Sequence, residues 1–306
     1  MVFENAFICL KTWLRSQGWV RLVSLSSTLL LACTIATAAY ADDLSAAVET
    51  PVIQARDYPI FLRLAAADVV YLGEQHDNAA DHAAQLDIIQ ALYQENGTVA
   101  FALEMFQRPF QTVIDRYLAG EISEAALIEG SEYERRWRFP WEYYAPILRF
   151  AKQYQIPVIA LNAPSEVTHQ VASEGLESLS SEAFRYLPDR ADIDTSNAAY
   201  REFVIATLGS HGSHGLFNAD NFFAAQVIWD ETMAHAIAEF RRANSNTQMI
   251  VIAGQGHLVY GYGIPNRVAR RLGDDLQQQV VLLNPPQETL EVSDNPIADL
   301  LWYSKS

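Results

Sequence analysis

The sequence predicts an α/β fold: a mostly parallel sheet flanked by helices, with a helical insertion or lid between the third and fourth strands. Three observations predict it. Short β-branched runs alternate with helical patterns, as in chains that build parallel sheets. The runs are apolar on both faces, so the sheet is covered on each side. The third and fourth runs lie about 85 residues apart, too far for one crossover connection.

The elements follow in order. Asp68 to Leu72 reads as the first strand and stops at Gly73. A helix is expected from Asn78 to Glu95: Ala83, Leu86, Ile89, Ala91 and Leu92 recur near helical spacing, Asp77 or Asn78 can cap it, and Asn96-Gly97 ends it. Thr98 to Leu103 is the second strand. Pro109 to Leu118, Glu121 to Glu129 and Tyr143 to Gln153 are helical, and Pro157 to Leu161 is the third strand. Residues 163–247 form the mainly helical insertion, with short helices and loops over Ser165 to Tyr200 and a long helix from Asn221 to Arg242. Met249 to Ala253, Ile264 to Leu272 and Gln279 to Leu283 read as strand, helix and fifth strand.

The domain proper is expected over residues 58–306, behind a signal peptide (1–41) and a flexible tether (42–57). Lys11, Arg15 and Arg21 precede an uncharged apolar run from Leu22 to Ala39, and Ala39-Tyr40-Ala41 is a small-x-small cleavage pattern before Asp42-Asp43. A membrane anchor is the competing reading of that run, weighed against its Ser and Thr content. Leu30-Leu31-Ala32-Cys33 resembles a lipobox, in which Cys33 carries a lipid; Leu31 is not the small residue usual there. The expected location is a bacterial envelope, as a periplasmic protein or one anchored to the membrane through lipid on Cys33.

Both cysteines, Cys9 and Cys33, fall in the leader, so cleavage after Ala41 removes disulfides and thiolate chemistry from the domain. The formal net charge of −16 becomes −18 once the leader, which carries +2, is lost. A chain this acidic repels phosphate backbones, and nucleic acid is not expected as a partner.

In open α/β sheets, ligands sit beyond the carboxyl ends of the strands. There the sequence places Gly73-Glu74-Gln75-His76-Asp77, Glu104 through Arg108, Asn162, and Gly254-Gln255-Gly256-His257. Gly-x-x-His occurs at two strand ends, where glycine permits a sharp turn. His76, Glu104 and His257 are the candidate chemistry, supported by Gly73, Asp77, Arg108, Asn162, Asp230, Gly254 and Gly256. Two imidazoles and a carboxylate suit a hydrolytic divalent-metal site with an open position. They equally suit a metal-free general acid/base pair, or polar groups that only close the end of a sheet. No compact metal motif, no Gly-x-Ser-x-Gly elbow and no Gly-x-Gly-x-x-Gly turn is present.

Arg135 to Tyr144 packs three arginines and five aromatics into ten residues. Such a segment can line a pocket for a flat apolar carboxylate, or form an aromatic helix start with surface ion pairs. Ser210 to Gly215 holds two histidines in a loop read as lid or surface, and His82 and His235 are read as structural.

With these residues on view, the chain resembles the ChaN family of haem-binding uptake proteins within the TIKI/TraB/erythromycin-esterase-like superfamily. The matching segments are Leu72 to Asp77, Ala102 to Phe106, Ile159 to Asn162, Ala225-Gln226, Trp229 to Ala234, and Gly254 to His257 through Gly261 to Pro265. The resemblance implies an envelope protein tied to haem or iron acquisition, with a homodimer holding stacked haems. A tyrosine would ligate the iron, with a histidine contributed across the interface. Tyr143, Tyr144, Tyr260 and Tyr262 are candidates by position, with Arg135 and Arg136 for the haem carboxylates. The hydrolase branch of the superfamily implies that His76, Glu104 and His257 are catalytic, in a peptidase or esterase.

Overall fold

A computed structural model describes residues 58–208, 218–286 and 296–304. The leader, the tether and the Ser210 to Gly215 loop lie outside the described residues. Six strands form one sheet: β1 (Val69–Glu74), β2 (Val99–Gln107), β3 (Val158–Asn162), β4 (Gln248–Gly254), β5 (Gln278–Leu283) and β6 (Leu300–Trp302). Their order is β3-β2-β4-β1-β5-β6, and every neighbouring pair is parallel. The sheet is therefore wholly parallel, and β6 adds a strand that three residues were too few to announce.

Alternation along the strands supplies both cores. Val70, Leu72, Phe101, Leu103, Ile250, Ile252, Val281 and Leu283 point to one face. They pack against α1 (Tyr58–Ala65), α2 (Ala79–Asn96), α3 (Gln111–Leu118), α4 (Glu124–Gly130) and α6 (Trp141–Tyr154). The short helix α5 (Tyr133–Arg136) precedes α6. Val69, Tyr71, Ala102, Met249, Val251, Ala253 and Leu282 face the other side, under α9 (Ala219–Ala243) and α10 (Ile264–Leu272).

The helical insertion holds α7 (Ser165–Glu174), three short 3₁₀ turns and α8 (Ala198–Leu208) before α9. Helix α2 starts at Asn78, whose side chain accepts from the Ala80 amide, and stops at Gly97, with φ of 64°. One sheet irregularity bears on function. Leu103 pairs with Ala160 and Gln107 with Asn162, so β2 spends four steps where β3 spends two. The bulge falls on Glu104 to Phe106 and lets the strand re-aim a side chain at its end.

Candidate functional site

The carboxyl ends of β1, β2, β3 and β4 supply Glu74, Glu104, Asn162 and Gly254, with His76 and His257 in the turns just beyond. In the β1–β4 register Gly73 lies beside Ala253 and Glu74 beside Gly254. The two Gly-x-x-His turns are thus offset by one residue rather than superimposed. A Cβ at residue 254 would sit 2.9 Å from Cε1 and Nε2 of His76, so glycine is what lets that ring lie over the β4 end. At Gly73 a Cβ would meet Leu282 at 2.8 Å; this glycine serves packing of β1 on β5.

Each imidazole is backed by its own carboxylate. His76 Nδ1 donates to Glu74 Oε1 at 2.7 Å. The same carboxylate accepts from the Tyr144 hydroxyl at 2.5 Å and from Gln85 Nε2 at 2.6 Å. His82 braces the turn, its Nε2 3.1 Å from the His76 carbonyl. On the other side His257 Nδ1 donates to Asp230 Oδ1 at 2.7 Å, and the Tyr200 hydroxyl donates to Asp230 Oδ2 at 2.7 Å. Gln226, one helical turn before Asp230 on α9, places its amide 3.0 Å from the same His257 nitrogen. Between the two units lies Glu104, 3.4 Å from His257 Nε2 and accepting from the Gly254 amide at 2.6 Å.

This geometry sets the protonation. Burial alone would raise the Glu104 carboxyl, but the His257 and His76 charges hold it down, at about 2. Burial alone would lower His257, yet Glu104 and Asp230 outweigh it and hold the imidazole up, at about 10. His76 is likewise raised against burial, by its bond to Glu74 and the charge of Glu104. Glu74 is lowered against burial by His76. At neutral pH Glu104 and His257 therefore form a carboxylate–imidazolium pair, with His76 biased toward its charged form, able to donate a proton and to stabilise developing negative charge.

A cleft of about 90 Å³ opens over this cluster. His76, Glu104, Asn162 and His257 all line it, so the four strand-end residues do converge. Arg135, Arg136, Trp137 and Arg138 line it too, whereas Tyr143 and Tyr144 do not. The Trp137 and Phe139 rings pack on His76 at 4.7 Å and 5.0 Å between centroids. Arg136 is held by Glu132, Glu166, Gln107 and Ser165. Asn162 Oδ1 is buried with no hydrogen-bond partner.

Other candidates take different places. Tyr144 is fully buried with its hydroxyl bound to Glu74, so it cannot reach a haem iron while that bond stands. Tyr143 stacks on His82 at 4.6 Å behind the cleft. Tyr260 and Tyr262 form a part-exposed pair away from the cleft, 5.4 Å apart, with Phe203 6.0 Å from Tyr260. Arg108 pairs with Glu239 at 2.8 Å and ties β2 to α9. Asp77 is exposed, and Gly256 lies inside the 3₁₀ turn Gln255–His257. Among the described residues no group of three or more His, Cys, Asp or Glu is arranged to hold a metal ion. Both Nδ1 atoms are bonded to carboxylates, and His257 Nε2 lies 3.4 Å from Glu104. Sequence reasoning missed Glu74, Gln85, Tyr200 and Gln226. Glu74 was signalled by standing two residues before His76, and Gln226 by its i, i+4 spacing to Asp230.

Comparison with known proteins places this architecture. A solved structure described as cofacial heme binding to ChaN of Campylobacter jejuni superposes with a TM-score of 0.62 at 20% identity, over 83% of this chain and 93% of that one. An erythromycin esterase mutant in its open conformation gives 0.48 at 15% identity, over 77% and 74%. The Arabidopsis thaliana protein RETICULATA-RELATED 5, chloroplastic, is 28% identical over 261 residues, which are 80% of this chain. The match covers 35% of that plant protein, so this chain spans about a third of its length. The family described as haem-binding uptake, Tiki superfamily, ChaN, matches residues 60–268, and the chain belongs to it.

Proposed function

We propose that this protein binds haem and serves haem or iron uptake and handling in a bacterial envelope. The family match across residues 60–268 carries the reading. Haem is flat and largely apolar, and sites for ligands of its size run to about 300–1,000 Å³. The strand-end cleft, at about 90 Å³, does not fit it. The part-exposed face of Phe203, Tyr260 and Tyr262 fits the chemistry better, offering rings to stack on and phenol oxygens for iron. Bound haem would supply redox-active iron; the chain would supply the phenol ligand and the aromatic wall.

Titration of the purified domain with haemin, read in the Soret band, tests this. A saturable shift is expected, and Tyr260→Phe with Tyr262→Phe should alter it. No saturation defeats haem binding, and an unchanged band in the double variant defeats tyrosine ligation on this face. For the envelope assignment, mass spectrometry of the cell-derived protein should find a start at Asp42 or a lipid on Cys33. Full-length chain in the cytoplasmic fraction would count against export.

A second reading is favoured by the paired carboxylate–imidazole units: general acid–base hydrolysis of an ester or amide in the cleft. Glu104 would take one proton from an attacking water. His257 would give one to the leaving oxygen or nitrogen as the carbon–heteroatom bond breaks, with His76 stabilising the negative charge that develops on the carbonyl oxygen. Equal rates for wild type and His76→Ala across an esterase and peptidase panel would sink it.

A further inference from the structure

One cation of the cleft takes no part in the acid–base units. Arg135, Arg136 and Arg138 all line it, in a chain of formal net charge −16. Arg135 is paired with Glu132, and Arg136 with Glu132 and Glu166. Arg138 is exposed and donates a long 3.3 Å bond to the Arg135 carbonyl, and among the described residues no carboxylate pairs with it. Its backbone is left-handed, with φ of 70°, a region that residues with a Cβ seldom occupy. The flanking Trp137 and Phe139 are buried against His76 and fix the segment in place. The charge of Arg138 is felt at the cleft wall: His169, also in the lining, is lowered by burial and by Arg138 and Arg136, against the pull of Glu166.

Inside the cleft no positive charge stands alone. His76 has Glu74, His257 has Asp230, and Glu104 lies between them. An anion would meet carboxylates there, whereas Arg138 offers an unmatched guanidinium at the exposed edge. The space is as restrictive. On the scale where a cavity of about 150 Å³ holds benzene, one of about 90 Å³ holds about three or four non-hydrogen atoms. That is the carbonyl carbon of an ester or amide, its two heteroatoms and one neighbouring carbon. Everything else in such a molecule must pass out of the cleft, where Arg138 stands.

We infer that the substrate of this cleft is an ester or amide bearing a carboxylate on the part left outside, and that Arg138 selects it. The inference rests on the hydrolytic reading of the cleft. A guanidinium meets a carboxylate through two parallel N–H bonds. A monoanion also suits so acidic a chain better than the dianion of a phosphate ester. Arg138 would hold a part of the substrate that does not change in the reaction, so its effect falls on KM rather than on kcat.

The test compares the monomethyl esters of malonate, succinate and glutarate with their neutral half-amides, methyl malonamate, methyl succinamate and methyl glutaramate. Water adds to the ester carbon and the carbon–oxygen bond breaks, giving a new carboxylate, methanol and a proton that a pH-stat counts. At the best of the three lengths, the acid should exceed its half-amide about tenfold in kcat/KM, with the difference in KM. Arg138→Gln should bring the pair to parity, and Arg138→Lys should keep part of the preference. Arg138→Glu should place the acid below the half-amide. Equal kcat/KM for acid and half-amide at all three lengths overturns the inference while leaving hydrolysis standing. A preference that survives in Arg138→Gln overturns it as well. If no ester turns over faster with wild type than with His76→Ala, the hydrolytic reading fails and the inference falls with it.

Discussion

Residue 254 has no room for a methyl group, because its Cβ would lie 2.9 Å from the His76 ring. Gly254→Ala should therefore displace His76 from Glu74 and cost about 1–3 kcal/mol, measured by urea denaturation. A variant as stable as wild type, with an unshifted His76 NMR signal, would contradict that placement. Glu104 and His257 give a pH signature. Glu104 is lowered from 4.5 to about 2, so its stabilisation is complete above about 4.5 and lost as pH falls through about 2. His257 is raised from 6.5 to about 10, so its share is complete below about 6.5 and lost as pH rises through about 10. The stability gap between wild type and Glu104→Gln should peak near pH 5–6 and narrow on both sides; a flat gap would refute the pairing. At this scale the sequence exposed the cleft residues, since His76, Glu104, Asn162 and His257 stand at or just beyond the ends of the apolar runs. It hid most of the backing: Glu74 stands two residues before His76, but nothing in the spacing told that Asp230 would hold His257 or that Tyr144 would turn inward.

Helix α9 shows what one element can do with two adjacent acids. Successive residues on a helix point about 100° apart. Asp230 accordingly faces His257, while Glu231 faces α10 and meets Arg267, Arg270 and Arg271 at 3.2, 2.7 and 2.6 Å. Glu231 is fully buried and Arg267 nearly so, and removing one member of such a group leaves charge uncompensated. Glu231→Gln should cost about 3–5 kcal/mol in urea denaturation. Arg201→Ala, which breaks an exposed pair with Asp220, should cost less than about 1 kcal/mol. Similar losses in the two variants would show that the buried cluster has no special weight. The helix itself was legible, read as Asn221 to Arg242 and found at Ala219–Ala243. Strand β2 was less so: it was read to Leu103 and runs to Gln107, because its last four residues carry Glu104 and Gln107 through a bulge that breaks the apolar run.

The whole sheet divides its labour. In the order β3-β2-β4-β1-β5-β6 the cleft draws on the first four strands, and β5 and β6 form the opposite flank. The parallel, two-faced sheet followed from β-branched runs apolar on both sides, but β6 could not, since it is recognisable only by its place beside β5. Its side chains nonetheless cover core. Leu300 and Trp302 pack part-buried on one hydrophobic cluster, and Ile297, 8% exposed, belongs to the other. The Asn284 side chain, at the end of β5, bonds to Ser304 and to Asp81, linking this flank to the start of α2. Stability and the integrity of the cleft should therefore separate. Full truncation of a buried tryptophan costs about 3–5 kcal/mol, so part-buried Trp302→Ala should cost about 2 kcal/mol. Well below its melting temperature, the same variant should keep the same Glu104–His257 pH signature, because no residue of β6 reaches the cleft. If that signature faded in step with stability, the sheet would be transmitting strain across β5 and β1, and the cleft would depend on the whole sheet rather than on four strand ends.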